Sequence, residues 1–133
     1  MTFKNRVSAM LCVLAVLAIV VQPCFAVVKP LGKITVVTAG TRVQVYSSTG
    51  TQANRVTTII IQYPANTASG GNNTGKLYVG NATVVGSTLT GVIAALDPGG
   101  SITIPSGGAN LDASTIYLDS DNNGAYALVS VVY

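Results

Sequence analysis

Two short stretches of the chain contain residue types that could do chemistry, and the first is an acidic turn. Residues 119–124 are DSDNNG, which matches the first half of a calcium-binding loop, with oxygen ligands at alternate positions and a glycine at the sharp turn. The second half is missing, because Ser130 stands where that loop has a bidentate glutamate. Asp119, Asp121 and Asn123 are therefore candidate calcium ligands. The alternative is a hairpin turn in which an Asn-Gly pair supplies two positive φ values.

The second stretch, residues 70–76, is GGNNTGK and has the glycine and lysine spacing of a phosphate-binding loop. Leu77 follows it where a serine or threonine would bind magnesium. The next residues have the pattern of a strand, whereas the phosphates of such a loop sit at a helix N-terminus. We therefore predict a glycine-rich turn before a strand, and no nucleotide or other cofactor.

Catalysis has few candidate residues in this sequence. The chain has no histidine, and its four acidic residues are all aspartate. A serine or threonine nucleophile would therefore lack its usual base. Two aspartates could in principle form a glycosidase pair. The stronger interpretation is that they are turn residues, because three of them adjoin Gly, Asn, Ser or Pro. We predict that the protein is not an enzyme and has no catalytic residues.

The first 26 residues differ in character from the rest. Lys4 and Arg6 precede an apolar run over residues 9–21, and small residues end the stretch at Ala26. This order predicts a hydrophobic helix that acts as a secretory signal peptide cleaved after Ala26. The alternative is a membrane anchor that the protein retains. Residues 27–133 then form the β-sandwich domain, exported to the extracellular side or cell surface.

Charge is sparse in residues 27–133. Five basic residues stand against four aspartates, and the basic residues are scattered along the chain. A protein that binds nucleic acid needs clustered Lys and Arg to neutralise phosphates. We therefore predict no nucleic-acid partner, and a membrane partner only through residues 1–26.

The rest of the sequence has the pattern of short β-strands. Turn residues recur about every 8 to 12 positions, and no stretch repeats apolar residues at helical spacing. Residues 33–38 and 41–47 are predicted to form a hairpin, and residues 55–63 to form a central strand covered on both faces. The fold class is all-β. We predict a single antiparallel β-sandwich, jelly-roll-like or Greek key, with about eight strands.

The predicted contact surface consists of aromatic and aliphatic side chains. Tyr46 and Tyr78 alternate with apolar neighbours and could point outward. The C-terminal strand, residues 125–133, is apolar on both faces, so Tyr126, Leu128 and Val132 could contact a neighbouring subunit. We therefore predict that the domain acts as a homo-oligomer or as a subunit of a lattice. The alternatives are tyrosines that cap the sandwich edges, and a central strand covered by a loop of the same chain.

Four segments carry a resemblance to a known class of protein. They are ITVVTAGTRVQV at residues 34–45, NTGKLYVG at 73–80, LDPGGSITI at 96–104 and IYLDSDNNGAYALVSVVY at 116–133. Their succession of turns and strands resembles small virion-associated β-sandwich proteins of tailed bacteriophages. The resemblance implies a non-enzymatic structural protein, such as a capsid decoration or accessory subunit. The alternative is a secreted or membrane-tethered bacterial cell-surface or adhesion module, which the first 26 residues favour.

Overall fold

The computed structural model describes residues 26–46, 55–65 and 72–133, and this part of the chain is built from β-strands. A single turn of 3-10 helix, Ala113–Thr115, interrupts them. The strands are β1 (Val28–Val36), β2 (Val43–Gln44), β3 (Arg55–Val56), β4 (Thr58–Gln62), β5 (Leu77–Val85), β6 (Thr90–Leu96), β7 (Ser101–Pro105), β8 (Leu111–Asp112), β9 (Tyr117–Ser120) and β10 (Ala125–Val132). The predicted all-β class is confirmed. The predicted N-terminal helix lies outside the described residues, and within them no helix is long and apolar enough to cross a membrane.

All of these strands except β3 and β8 form two antiparallel sheets of four strands each. Sheet A has the order β1-β10-β4-β7, and sheet B has the order β2-β9-β5-β6. The two-residue strands β3 and β8 pair separately, with Arg55 opposite Asp112. Four of the pairings nest inside one another: β1 with β10, β2 with β9, β4 with β7, and β5 with β6. The described chain is thus a long antiparallel ribbon, with its tip between β5 and β6, divided between two sheets.

A single hydrophobic cluster joins the two sheets. Along each strand alternate side chains point to one face, so the residues that point inward from both sheets can interdigitate. Sheet A contributes Ile59, Ile61, Val129 and Val131, and sheet B contributes Leu77, Val79, Leu96 and Leu118. All eight are buried. The core is therefore aliphatic, and among the tyrosines only Tyr63 belongs to the buried cluster.

Two predicted hairpins are wrong. β1 and β2 lie in different sheets, so the segment between them passes from one sheet to the other instead of closing a hairpin. β9 and β10 also lie in different sheets, and at the turn between them Gly124 has a φ of 76° while Asn123 has no positive φ. A turn sequence shows where the chain reverses. It does not show whether the next strand joins the same sheet or the opposite one.

The strand predicted over residues 55–63 is divided in two. β3 and β4 are separated by Thr57, whose N–H donates to Val132 O at 2.7 Å. The predicted central position is confirmed for β4, which lies between β10 and β7. Coverage on both faces is only partial, because Ile59 and Ile61 are fully buried and Ile60 is half-buried.

Candidate functional site

The two stretches that the sequence marks for chemistry lie against each other. Asp121 N–H donates to Lys76 O at 3.1 Å, and Lys76 N–H donates back to the Asp121 carboxylate at 3.1 Å. Gly75 makes this approach possible, because a Cβ on it would lie 2.9 Å from Asp121 Cβ. The described part of the glycine-rich turn, residues 72–76, is therefore held against the acidic turn by these bonds.

Asp119 is a buried carboxylate on the outer face of sheet B, with its side chain only 1% exposed. Its Oδ2 accepts from Gly86 N–H at 2.8 Å and its Oδ1 accepts from Ser120 N–H at 2.8 Å. Gly86 belongs to residues 81–89, which we call the flap, because this segment at the β5–β6 tip covers the outer face of sheet B. Asp119 therefore fastens the flap to the sheet.

The third calcium candidate, Asn123, points to a different segment. Its Oδ1 accepts from Ala39 N–H at 2.8 Å, next to the end of β1. The three candidate ligands thus bond to three different segments. Asp119 bonds to the flap, Asp121 to the glycine-rich turn and Asn123 to the β1–β2 connection. Among the described residues no group of three or more His, Cys, Asp or Glu side chains is placed to hold a metal ion. Calcium binding by Asp119, Asp121 and Asn123 stays a prediction, in which the ion would have to displace these donors.

The other two aspartates also have local partners. Asp97 forms an exposed ion pair with Lys76 at 2.8 Å, and this hydrogen bond and charge raise the pKa of the lysine. Asp112 caps the 3-10 helix by accepting from Ser114 N–H at 2.9 Å and from Ser114 Oγ at 2.6 Å. Those bonds lower the pKa of Asp112. Both arrangements fit the predicted role of turn residues.

Asn73 is a structural residue that sequence reasoning missed. Its side chain is 1% exposed, and its Nδ2 donates to Pro64 O at 2.8 Å and to Tyr126 O at 3.1 Å, while its Oδ1 accepts from Tyr126 N–H at 2.9 Å. An amide side chain can bond a strand in this two-sided way because it carries both donors and an acceptor. Asn73 therefore holds the glycine-rich turn against β10. Its neighbours Asn72 and Thr74 are exposed, and nothing in the sequence distinguishes Asn73 from them.

The tyrosines proposed as contact residues are placed differently from one another. Tyr78 is 6% exposed and lies under the flap, since a Cβ on Gly86 would collide with its ring. Tyr126 is 1% exposed, and Lys33 Nζ lies 4.2 Å from its ring centroid. The prediction that these two are exposed contacts is wrong, because other segments of the same chain cover them. Tyr46 is half-buried and packs on the core.

The remaining proposed contacts lie on the outer face of sheet A. Leu128 is 40% exposed and Val132 is half-buried, and both alternate with buried residues of β10. The strand register places Val28 and Thr58 beside Val132, and Lys33 and Gln62 beside Leu128. The face is completed by small, hydroxyl and aliphatic residues, namely Pro30, Ile60, Ser101, Thr103, Pro105 and Ser130. It carries no acidic residue among those twelve.

An open depression borders this face near the end of β7. Its volume is about 330 Å³, and it is lined by Gln62, Tyr63, Pro64, Gly99, Gly100, Ser101 and Leu128. The Gly99 and Gly100 backbone is already paired with Tyr63, through bonds of 2.7 and 2.8 Å. The depression therefore offers an amide from Gln62 and a hydroxyl from Ser101 beside the apolar side chain of Leu128, and no Asp, Glu, Lys, Arg or His side chain lines it.

Comparisons with known proteins add no assignment. No family model matches the chain, and neither the curated proteins nor the solved structures gave a significant match. Function is therefore argued from the geometry alone.

Proposed function

We propose that this protein is a non-enzymatic structural subunit that works by repeated contacts, most specifically a surface or accessory subunit of a virion. The proposal rests on one observation: the outer face of sheet A is a broad, nearly uncharged surface with Leu128 and Val28 exposed on it. A face with so little charge is suited to contact with another subunit, because few charges would have to be buried there. Lys33 is the one charge among its twelve residues, and it lies over the ring of Tyr126.

The strand order supports the same proposal at the level of the fold. Two four-stranded sheets in which the first strand pairs with the last, and each inner pair nests in the same way, correspond to a jelly-roll sandwich. We propose that architecture for residues 27–133. Jelly rolls occur in viral capsid proteins and also in lectins and other binding domains, so the fold is compatible with the cell-surface alternative as well.

The chemistry of the described residues fits a structural role. Each aspartate bonds to a backbone N–H or to a single lysine, and the buried polar side chains Asn73, Asp119 and Ser120 have partners within the chain. These groups stabilise turns and hold the flap. A surface made of sheet residues and turns is suited to holding neighbouring subunits.

The test is assembly of the full chain, measured by sedimentation velocity over a range of concentrations and by co-sedimentation with particles from the producing cells. Ser130→Lys places a charge at the centre of the outer face of sheet A and should abolish assembly and attachment. The matched control is Ala95→Lys, an exposed position on the outer face of sheet B. A monodisperse wild-type monomer that attaches to no particle would defeat the proposal. Attachment to cells instead of particles would favour the adhesion module.

A further inference from the structure

Strand β7 forms one edge of sheet A, and its outward backbone groups have no strand beside them among the described residues. Ser106 N–H donates to Thr57 O and Tyr63 N–H donates to Gly100 O, both at 2.8 Å. The even-numbered residues of β7 therefore bond to β4. In an antiparallel ladder the alternate residues point the other way, so the N–H and C=O of Ser101 and Thr103 point outward from the sheet.

The opposite edge of the same sheet is protected, and β7 is not. β1 carries Lys29, Pro30 and Lys33 and has a bulge between Pro30 and Gly32. Lysine, proline and bulges are the features by which natural edge strands avoid pairing. β7 has no charged residue, its register with β4 is regular over all five pairs, and Pro105 is its only blocking residue. The edge strand of sheet B, β6, is less suitable because its ladder with β5 is irregular at Gly80.

We infer that β7 pairs with β7 of a second copy, antiparallel about a two-fold axis at Thr103. This inference rests on the proposed function and names the partner of one of its contacts. In that register Thr103 N–H of each copy donates to Thr103 C=O of the other, and Ser101 N–H donates to Pro105 C=O of the second copy. Pro105 lacks an N–H, but its carbonyl stays available as an acceptor.

The side chains support a second copy as the occupant. Ile102 and Ile104 point toward the core but are only half-buried, because no strand covers them on the outer side of β7. The two-fold pairing places Ile102 of one copy directly opposite Ile104 of the other, at the close spacing of a cross-strand pair. Self-pairing brings like residues together, and β7 carries no charge that would repel its own copy. The same pairing through β1 would bring its lysines together.

Disulfide trapping tests the register. In a full chain with Cys12 and Cys24 replaced by serine, Thr103→Cys should form a disulfide dimer, because directly opposite Cα atoms lie about 5.5 Å apart, within the range for a disulfide. Ser101→Cys is the matched control, since the two copies of residue 101 would be about 14 Å apart. Ser101→Cys mixed with Pro105→Cys should cross-link. We expect Thr103→Cys to cross-link at least tenfold faster than Ser101→Cys or the exposed flap variant Ser87→Cys.

Pro105→Thr provides a second measurement, because it restores an outward N–H in each copy. It should tighten self-association roughly tenfold, as two added hydrogen bonds of ordinary net strength would do. The inference of β7 pairing would be overturned by equal cross-linking rates of Thr103→Cys, Ser101→Cys and Ser87→Cys. It would also be overturned if Pro105→Thr left the affinity of self-association unchanged. If β7 pairing is overturned but the wild-type protein still assembles and Ser130→Lys abolishes that assembly, the proposed function stands without this contact. If β7 pairs but nothing larger forms, the proposed function fails instead.

Discussion

The side chain of Asn73 bonds to both backbone groups of Tyr126, accepting from its N–H at 2.9 Å and donating to its C=O at 3.1 Å. Tyr126 lies in the strand at the middle of sheet A, so a residue of a loop substitutes for a strand neighbour at this point. Asn73→Ala would remove these two bonds to Tyr126 and the bond to Pro64 O. We expect it to lower the free energy of unfolding by about 2–4 kcal/mol in urea denaturation. Asn72→Ala, at the exposed neighbouring position, should change it by less than about 0.5 kcal/mol.

Tyr63 gives a pH-dependent prediction. Its hydroxyl donates to Gly75 O at 3.0 Å, and burial raises the pKa of this tyrosine above its ordinary value of 10.0. The unfolded chain therefore loses this proton more readily than the folded chain. The stabilisation is complete below pH 10 and is lost as the pH rises through the pKa of the folded state.

Tyr63→Phe should reduce the free energy of unfolding by roughly 1 kcal/mol near neutral pH, because the hydrogen bond is removed. It should also flatten the decline in stability above about pH 10. Some decline should remain, since burial raises the pKa of Tyr78 and Tyr133 as well. Urea denaturation at several pH values measures both effects. Parallel pH profiles for the wild-type and variant proteins would contradict this account.

Measurements on Asp119 distinguish between two roles for this residue, a structural carboxylate and a calcium ligand. Both of its oxygens already accept backbone N–H groups, so we expect a chelator to leave the melting temperature unchanged. Asp119→Asn places an amide donor against one of these N–H groups and should cost about 1–3 kcal/mol, with or without calcium. Asp97→Asn is the control and should cost less than about 1 kcal/mol, because its ion pair is exposed. A calcium-dependent rise in melting temperature that Asp121→Ala removes would establish the metal site.

Gly86 is expected to be intolerant of any side chain. A Cβ at this position would collide with the ring of Tyr78, which the flap covers. Gly86→Ala should therefore destabilise the protein by about 1–3 kcal/mol. It should also increase hydrogen exchange of the amides in residues 81–89, because moving residue 86 away from the ring of Tyr78 would weaken its bond to Asp119. Ser87→Ala, at an exposed flap position, should leave both quantities near wild type.

The local features of the fold were predictable from the sequence. Leu77 and Val79 alternate with Tyr78 in the sequence, and the structure places the first two in the core and Tyr78 on the opposite face. Gly124 does occupy a turn before the last strand. Alternation and turn chemistry act over a few residues, so a short window of sequence contains the whole signal.

The misplaced features depend on distant parts of the chain. Tyr78 would be exposed on an ordinary sandwich, but residues 81–89 fold back over it, and the sequence shows Gly86 only as a break between strands. Tyr126 is covered by Lys33, which lies far from it in the chain. The sequence could not distinguish Asn73 from Asn72, because the structural role of Asn73 depends on its burial against β10. Contacts of this kind are set by the assembled sheets and not by local pattern.

The position of β10 has a consequence for how the protein folds. This strand is the last of the described strands, yet it lies between β1 and β4 and bonds to both. Before residues 125–132 are available, β1 has no partner in sheet A, and β4 pairs only with β7. Pairing β1 with β10 joins Val28 to Val132, so these contacts are very non-local in sequence. Sheet A is therefore expected to form only once residues 125–132 have left the ribosome, and over roughly milliseconds to seconds.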